Sequence, residues 1–182
     1  MEVIHNTLIE SCKKQSSKAQ MEVYRIFYRS IYNTCYRILR RQDDAEDAMQ
    51  DSFIKVFEKI ESYSSGTPFE AWIKRIAINT SIDMLRKKRL ATIELDERIT
   101  VVDDDVDDFN ETMLKVDAIK RGIELLPEGY RLVLTLHLIE GYEYDEIAEV
   151  LNIANSTVRS QYIRGKKRLL EILTTNKEQQ YG

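Results

Sequence analysis

The amino-acid sequence predicts an all-α protein: two small helical domains joined by a flexible acidic linker. Only 6 Gly and 2 Pro occur in 182 residues, few for a chain that would need the many tight turns of a β fold. Apolar residues recur at helical rather than alternating spacing through most of the chain. Charge is also segregated. Residues 1–90 carry 16 bases and 12 acids, residues 91–112 carry one base (Arg98) and nine acids, and residues 113–182 carry ten of each. The acidic segment separates two helical parts, so the expected boundaries are 1–90, 91–112 and 113–182. At 90 and 70 residues, each helical part is small but large enough for one core.

The element order follows from local signals. Ser16 or Ser17 can cap a helix running to about residue 40, along which Val23, Ile26, Phe27, Ile31, Cys35, Ile38 and Leu39 recur. Asp43 or Asp44 can cap a second helix, to about residue 60, whose acidic first turn suits the positive end of the helix dipole. Residues 62–68, Ser-Tyr-Ser-Ser-Gly-Thr-Pro, form a turn-rich loop. Pro68 suits the first position of a third long helix, to about residue 88. The linker has no sustained period and contains Asp103-Asp104-Asp105-Val106-Asp107-Asp108. Its net charge of −8 should keep it extended by self-repulsion. Four helical patterns follow at about 113–125, 127–140, 143–151 and 155–173, with Gly141 in the second break.

Composition sets several classes aside. No stretch approaches the roughly 18 consecutive apolar residues of a membrane span, and the first ten residues lack the basic-then-apolar pattern of a secretory signal. Cys12 and Cys35 make neither a disulfide framework nor a metal quartet, and His5 and His137 pair with no cysteine at metal spacing. A cytoplasmic helical protein with no metal and no cofactor is expected.

The last two helical patterns form a helix-turn-helix. Ala148 is small where the helices would cross, Asn152 tolerates a left-handed turn, and Val158 faces inward. At about 100° per residue, Val158, Tyr162, Gly165, Leu169 and Ile172 share one side of the last helix. Arg159, Ser160, Ile163, Arg164 and Lys167 share the other. Between residues 153 and 170 the charged residues are Arg159, Arg164, Lys166, Lys167 and Arg168, with no acid, whereas an ordinary solvated face mixes both signs. A basic stripe starting at the first turn is what major-groove docking requires. Arginine forks onto guanine edges there, and lysine mainly answers phosphates.

The N-terminal part carries two further stripes. On the second helix, Ala45, Met49, Phe53, Val56, Phe57 and Ile60 form a core side, while Asp44, Asp47, Asp51 and Glu58 form an acidic stripe bordered by Gln50 and Ile54. Ile54 is apolar outside the core pattern, which suits a basic protein partner better than a carboxylate active site. The third helix has apolar residues on two sides: Phe69, Trp72, Ile73 and Ile76, then Ala71, Ile78, Ile82 and Leu85. Between them run Arg75, Asn79 and Arg86, with Asp83 next to Trp72, and the helix ends Arg86-Lys87-Lys88-Arg89. A polar stripe edged by an aromatic ring under a Ser/Gly loop can hold an unstacked base, which offers a face to stack and an edge to bond.

Together these segments resemble the extracytoplasmic-function (ECF) sigma factors, the smallest class of the family related to the bacterial primary sigma factor. Residues 44–57 resemble the region 2 helix that grips the clamp helices of the largest RNA polymerase subunit. Residues 69–89 resemble the helix that melts and reads the −10 element. Leu126-Pro127-Glu128, the run from Gly141 to Ala148, and Ser156-Thr157-Val158-Arg159-Ser160 resemble region 4, which reads the −35 element.

The resemblance implies that Asp44, Asp47, Gln50, Asp51 and Ile54 face the polymerase clamp. It implies that the loop 62–69, with Ser64 and Ser65, and Trp72, Arg75, Asn79 and Arg86 face the −10 element, with Asn79 at the pocket for a flipped base. Arg159, Ser160, Ile163, Arg164 and Lys167 would enter the −35 major groove. The implied partners are core RNA polymerase, through its clamp helices and flap, promoter DNA, and an anti-sigma factor that is often membrane-bound. Three positions depart from the family. Glu143 stands where a Ser/Thr cap is usual, which should weaken that helix start by up to about 1 kcal/mol. Gly165 replaces a typical Ala, and Gln161 replaces a common Arg and so removes one phosphate contact.

Two other functions compete. A stand-alone helix-turn-helix regulator accounts for residues 127–173 but leaves the acidic and Asn79 helices without a purpose. A carboxylate metalloenzyme built on Asp44, Asp47 and Asp51 lacks the Glu-x-x-His pairs of metal-binding bundles. A non-enzymatic initiation factor is the expectation.

Overall fold

A computed structural model describes the backbone of residues 2–64, 66–92 and 111–180, and the side chains of 6–64, 66–89 and 116–174. Among the described residues there is no strand, and no helix is long and apolar enough to cross a membrane. Eight α-helices are described: α1 (Glu2–Lys13), α2 (Ser17–Leu39), α3 (Gln42–Lys59), α4 (Phe69–Thr92), α5 (Glu111–Glu124), α6 (Glu128–Leu134), α7 (Tyr144–Leu151) and α8 (Asn155–Gln180). The chain divides into two compact units near residue 95. Most of the predicted linker, and with it the expected extension, lies outside the described residues.

In the first unit α2, α3 and α4 pack on one another, with α1 against α2. Ser16 caps α2, its Oγ accepting from the Ala19 N–H, and Arg40 ends that helix in the left-handed conformation at φ 59°. The core interlocks Val23, Phe27, Ile31 and Ile38 of α2 with Ala45, Met49, Phe53 and Val56 of α3 and Phe69, Ile73, Ala77, Ile78 and Ile82 of α4, all buried. Ala45, Ala48 and Ala77 are fully buried, so the backbones meet closely where they lie. Helix α1, which the periodicity does not announce, adds Ile9 and Cys12 to this core.

Four expectations change. Helix α3 starts at Gln42 without a side-chain cap, so Asp43 and Asp44 lie inside its first turn rather than capping it. Pro68 precedes α4, and its carbonyl accepts the first helical bond from the Trp72 N–H at 3.1 Å. The two apolar sides of α4 become one broad buried arc, because the helix packs against both α2 and α3. Ala71 and Ile26, both counted as apolar-face residues, are exposed.

In the second unit α8 supports α5, α6 and α7. Ile123, Leu126, Leu134 and Leu169 form its centre, ringed by Tyr130, Ile139, Tyr162, Ile172 and Leu173. Gly165 is buried there: a Cβ at that position would stand 3.0 Å from Tyr130 Cβ and 3.2 Å from Leu134 Cδ1, so glycine lets α8 and α6 approach. The predicted single helix at 127–140 is instead α6 followed by one π-helical turn, Thr135–Ile139, in which the Glu140 N–H bonds to the Thr135 carbonyl at 3.1 Å. Glu143 does not leave a weak start to α7. Glu146 accepts the Glu143 N–H at 3.0 Å and the pair closes a capping box.

Candidate polymerase and nucleic-acid interfaces

The acidic stripe of α3 survives with one correction. Asp47, Gln50, Asp51, Ile54 and Glu58 are all exposed, and Ile54 keeps 56% of its surface open beside the Asp51 carboxylate one turn earlier. Asp44 does not belong with them. It is buried, pairing with Lys88 of α4 and lying 3.4 Å from Arg41 Nε. The angular position of Asp44 on α3 matches the stripe, but the C-terminal part of α4 comes down over it. Asp44 therefore staples two helices and is not available to a partner. Among the described residues no group of three or more His, Cys, Asp or Glu side chains could hold a metal ion.

The loop before α4 is held by aromatic packing. Tyr63, Phe69 and Trp72 form a ring cluster with centroid separations of 5.0 to 5.7 Å, and the Tyr63 hydroxyl donates to the Thr67 carbonyl at 2.7 Å. These contacts tie both ends of the loop to the first turn of α4, leaving Ser64, Gly66 and Thr67 exposed; Ser65 lies outside the described residues. Trp72 is half-buried in the cluster and begins the outward stripe that continues through Arg75, Asn79 and Arg86, all exposed. Asp83 stands 3.5 Å from Arg86, so this arginine shares its charge with a neighbour on its own helix. The stripe thus combines an aromatic edge, an exposed amide and two cations on one rigid helix. Tyr63 and Thr67 were not singled out from sequence, and a tyrosine beside the turn residues was the available signal.

On the second unit the helix-turn-helix forms as predicted. Asn152 adopts φ 53° and ψ 50°, and the Ile153 N–H reaches back to the Ala148 carbonyl at 3.0 Å, closing α7 tightly before α8 begins. Val158 and Leu169 are buried, whereas Arg159, Ser160, Ile163, Arg164 and Lys167 are exposed. Ile163 is 68% open, more than any other large apolar residue among those described. The Ser160 hydroxyl donates to the Ser156 carbonyl at 2.9 Å, which leaves its lone pairs facing solvent. Gln161, where an arginine is common, turns toward α6: its amide lies against Gly129, and Oε1 is buried without a hydrogen-bond partner. This position faces the neighbouring helix rather than a phosphate.

Residues 23–91 match the family Sigma-70 region 2, and residues 117–169 match Sigma-70, region 4. Over 180 residues the chain is 33% identical to the ECF RNA polymerase sigma factor SigW of Bacillus subtilis (strain 168), spanning 93% of this chain and 96% of that protein. The chain belongs to the ECF sigma factors. The ECF RNA polymerase sigma factor SigE of Mycolicibacterium smegmatis is 34% identical over 148 residues, which span 79% of this chain and 57% of SigE. The fold is also that of solved sigma factors. RpoE of Bartonella quintana, crystallised with the anti-sigma factor NepR, superposes with a TM-score of 0.62 at 22% identity, covering 85% of this chain and 96% of RpoE. CnrH, solved with the cytosolic domain of CnrY, gives 0.54 at 20% identity, covering 93% and 96%. This sigma factor therefore binds core RNA polymerase and directs promoter recognition, DNA melting and transcription initiation. A stand-alone helix-turn-helix regulator does not account for the region 2 match.

Proposed function

We propose a division of labour between the two units. Residues 1–90 hold core polymerase through Asp47, Gln50, Asp51 and Ile54 of α3 and take up the opened −10 strand at Asn79, Trp72, Arg75 and the loop around Ser64. Residues 91–112 act as the acidic linker, and residues 113–182 read the −35 duplex through Arg159, Ser160, Ile163, Arg164 and Lys167. The exposed stripe of Asp47, Asp51 and Glu58 with Ile54 open among them carries the polymerase assignment, since carboxylates of one sign around an apolar side chain suit a basic protein partner that covers both. The protein acts as a non-enzymatic subunit in the cytoplasm. An anti-sigma factor is its regulatory partner, by likeness to the two solved complexes. Run-off transcription with core polymerase and a library of random promoters tests the whole reading. It should return templates with two separated recognition elements. Enrichment of a single element, or initiation independent of the added protein, would overturn it.

A further inference from the structure

Arg159 is held differently from the other cations of α8. Its Nε donates to Asn155 Oδ1 at 2.8 Å, one turn earlier on the same helix. Asn155 in turn donates from Nδ2 to Asp145 Oδ1 on α7. The guanidinium carbon of Arg159 stands 5.9 Å from the ring centre of Tyr144, close enough for a cation–π contact. That ring is pinned by His137 at 4.8 Å and Tyr162 at 5.5 Å.

The chemistry of the amide fixes its orientation. With Oδ1 toward the guanidinium and Nδ2 toward the carboxylate, both bonds are made. The flipped amide would set N–H against N–H and oxygen against oxygen. One arginine donor is consumed, at Nε. The side-on approach through Nε and one Nη is therefore closed, and the two terminal nitrogens are left as a forward-facing fork.

We propose that Asn155 is a positioning residue for base reading. Anchored to α7 through Asp145, it takes up Nε of Arg159 and aims the Nη1/Nη2 edge at the N7 and O6 acceptors of one guanine in the −35 duplex. The relay ties the arginine to both helices of the motif, so less rotamer freedom is lost when DNA arrives. This inference rests on α8 being the −35 reader.

The test is binding of reconstituted holoenzyme to −35 duplexes that each carry one substituted base pair, at fixed salt. Arg159→Ala should abolish discrimination at one G·C pair, by roughly 5- to 150-fold. Asn155→Ala should reduce discrimination at that same pair by about three- to tenfold and add nothing in the Arg159→Ala background. Exchanging the partners, Asp145→Asn with Asn155→Asp, rebuilds the relay with its polarity reversed and should restore discrimination at that pair. Should Asn155→Ala lose helicity, Asp145→Ala alone carries the same test, because it removes the acceptor that anchors Asn155 and leaves α8 untouched. Loss at a different base pair, equal loss on every duplex, or an undiminished Asn155→Ala effect when Arg159 is already alanine would overturn the proposal. If Arg159→Ala leaves every −35 pair equally discriminated while the holoenzyme still binds, the −35 reading itself fails, and that result appears before any Asn155 variant is needed.

Discussion

Replacing Ile54 with aspartate separates polymerase docking from folding. In the free protein Ile54 is 56% exposed and outside the core of the first unit, so Ile54→Asp should change folding stability by only about 0.5–1 kcal/mol, mostly through helix propensity. In the docked state the balance differs. Burying a whole isoleucine side chain is worth about 1.5–3 kcal/mol, and a little over half of that surface is still available to a partner, so roughly 1–1.5 kcal/mol of burial is lost. The aspartate adds desolvation of a carboxylate and repulsion from Asp51 three residues earlier, together about 2 kcal/mol or more. A total near 3–4 kcal/mol corresponds to roughly 150- to 800-fold weaker capture. Ile54→Ala keeps the charge pattern and should lose only about three- to tenfold. Titration of labelled protein with core polymerase reads both variants, with circular dichroism as the folding control. Capture by Ile54→Asp within threefold of the parent protein, at unchanged helicity, would refute this use of α3.

Lys88→Met removes the cation paired with the buried Asp44 carboxylate, leaves Arg41 at 3.4 Å beside it, and should cost about 1–3 kcal/mol in urea unfolding; an unchanged midpoint would show that the staple is idle. Gly165→Val places branches where a Cβ already meets Tyr130 and Leu134, and the overpacking should cost about 1–3 kcal/mol in thermal or chemical unfolding. Burial pushes the Cys12 thiol above its ordinary value of 9.0. Above that pH the unfolded chain releases a proton that the fold retains, so stability should fall as pH rises from 9.0 toward the folded value, and Cys12→Ala should flatten that slope.

The extent to which the chain could be interpreted from sequence depended on the range of the interactions. The buried and exposed faces of α8 were legible, because alternation of Val158, Gly165 and Leu169 with Arg159, Ile163 and Arg164 is a property of one helix and its period, whereas the turn of Gln161 toward Gly129 depends on α6. Asn152 was legible because few residues accept a left-handed turn. Asp44 was not, since its burial depends on Lys88, which comes from a different helix and has no signature in the α3 pattern. The π turn at Thr135–Ile139 is a choice of backbone register within a continuously buried run from Arg131 to Leu136, where apolar spacing carries no phase. The hold of Asn155 on Arg159 had a local signal, an i to i+4 spacing in a first turn, while its link to Asp145 needed the fold.

The most direct test of the two-site account is binding of the holoenzyme to a duplex −35 fragment and, separately, to a single-stranded −10 oligonucleotide, both at fixed salt because phosphate contacts make affinity steeply salt-dependent. Arg164→Ala should weaken the duplex and spare the single strand. Asn79→Ala should do the reverse and should cost open-complex formation more than initial promoter engagement. Equal losses on both fragments for both variants would contradict the division of labour and reduce these residues to general charge or folding support.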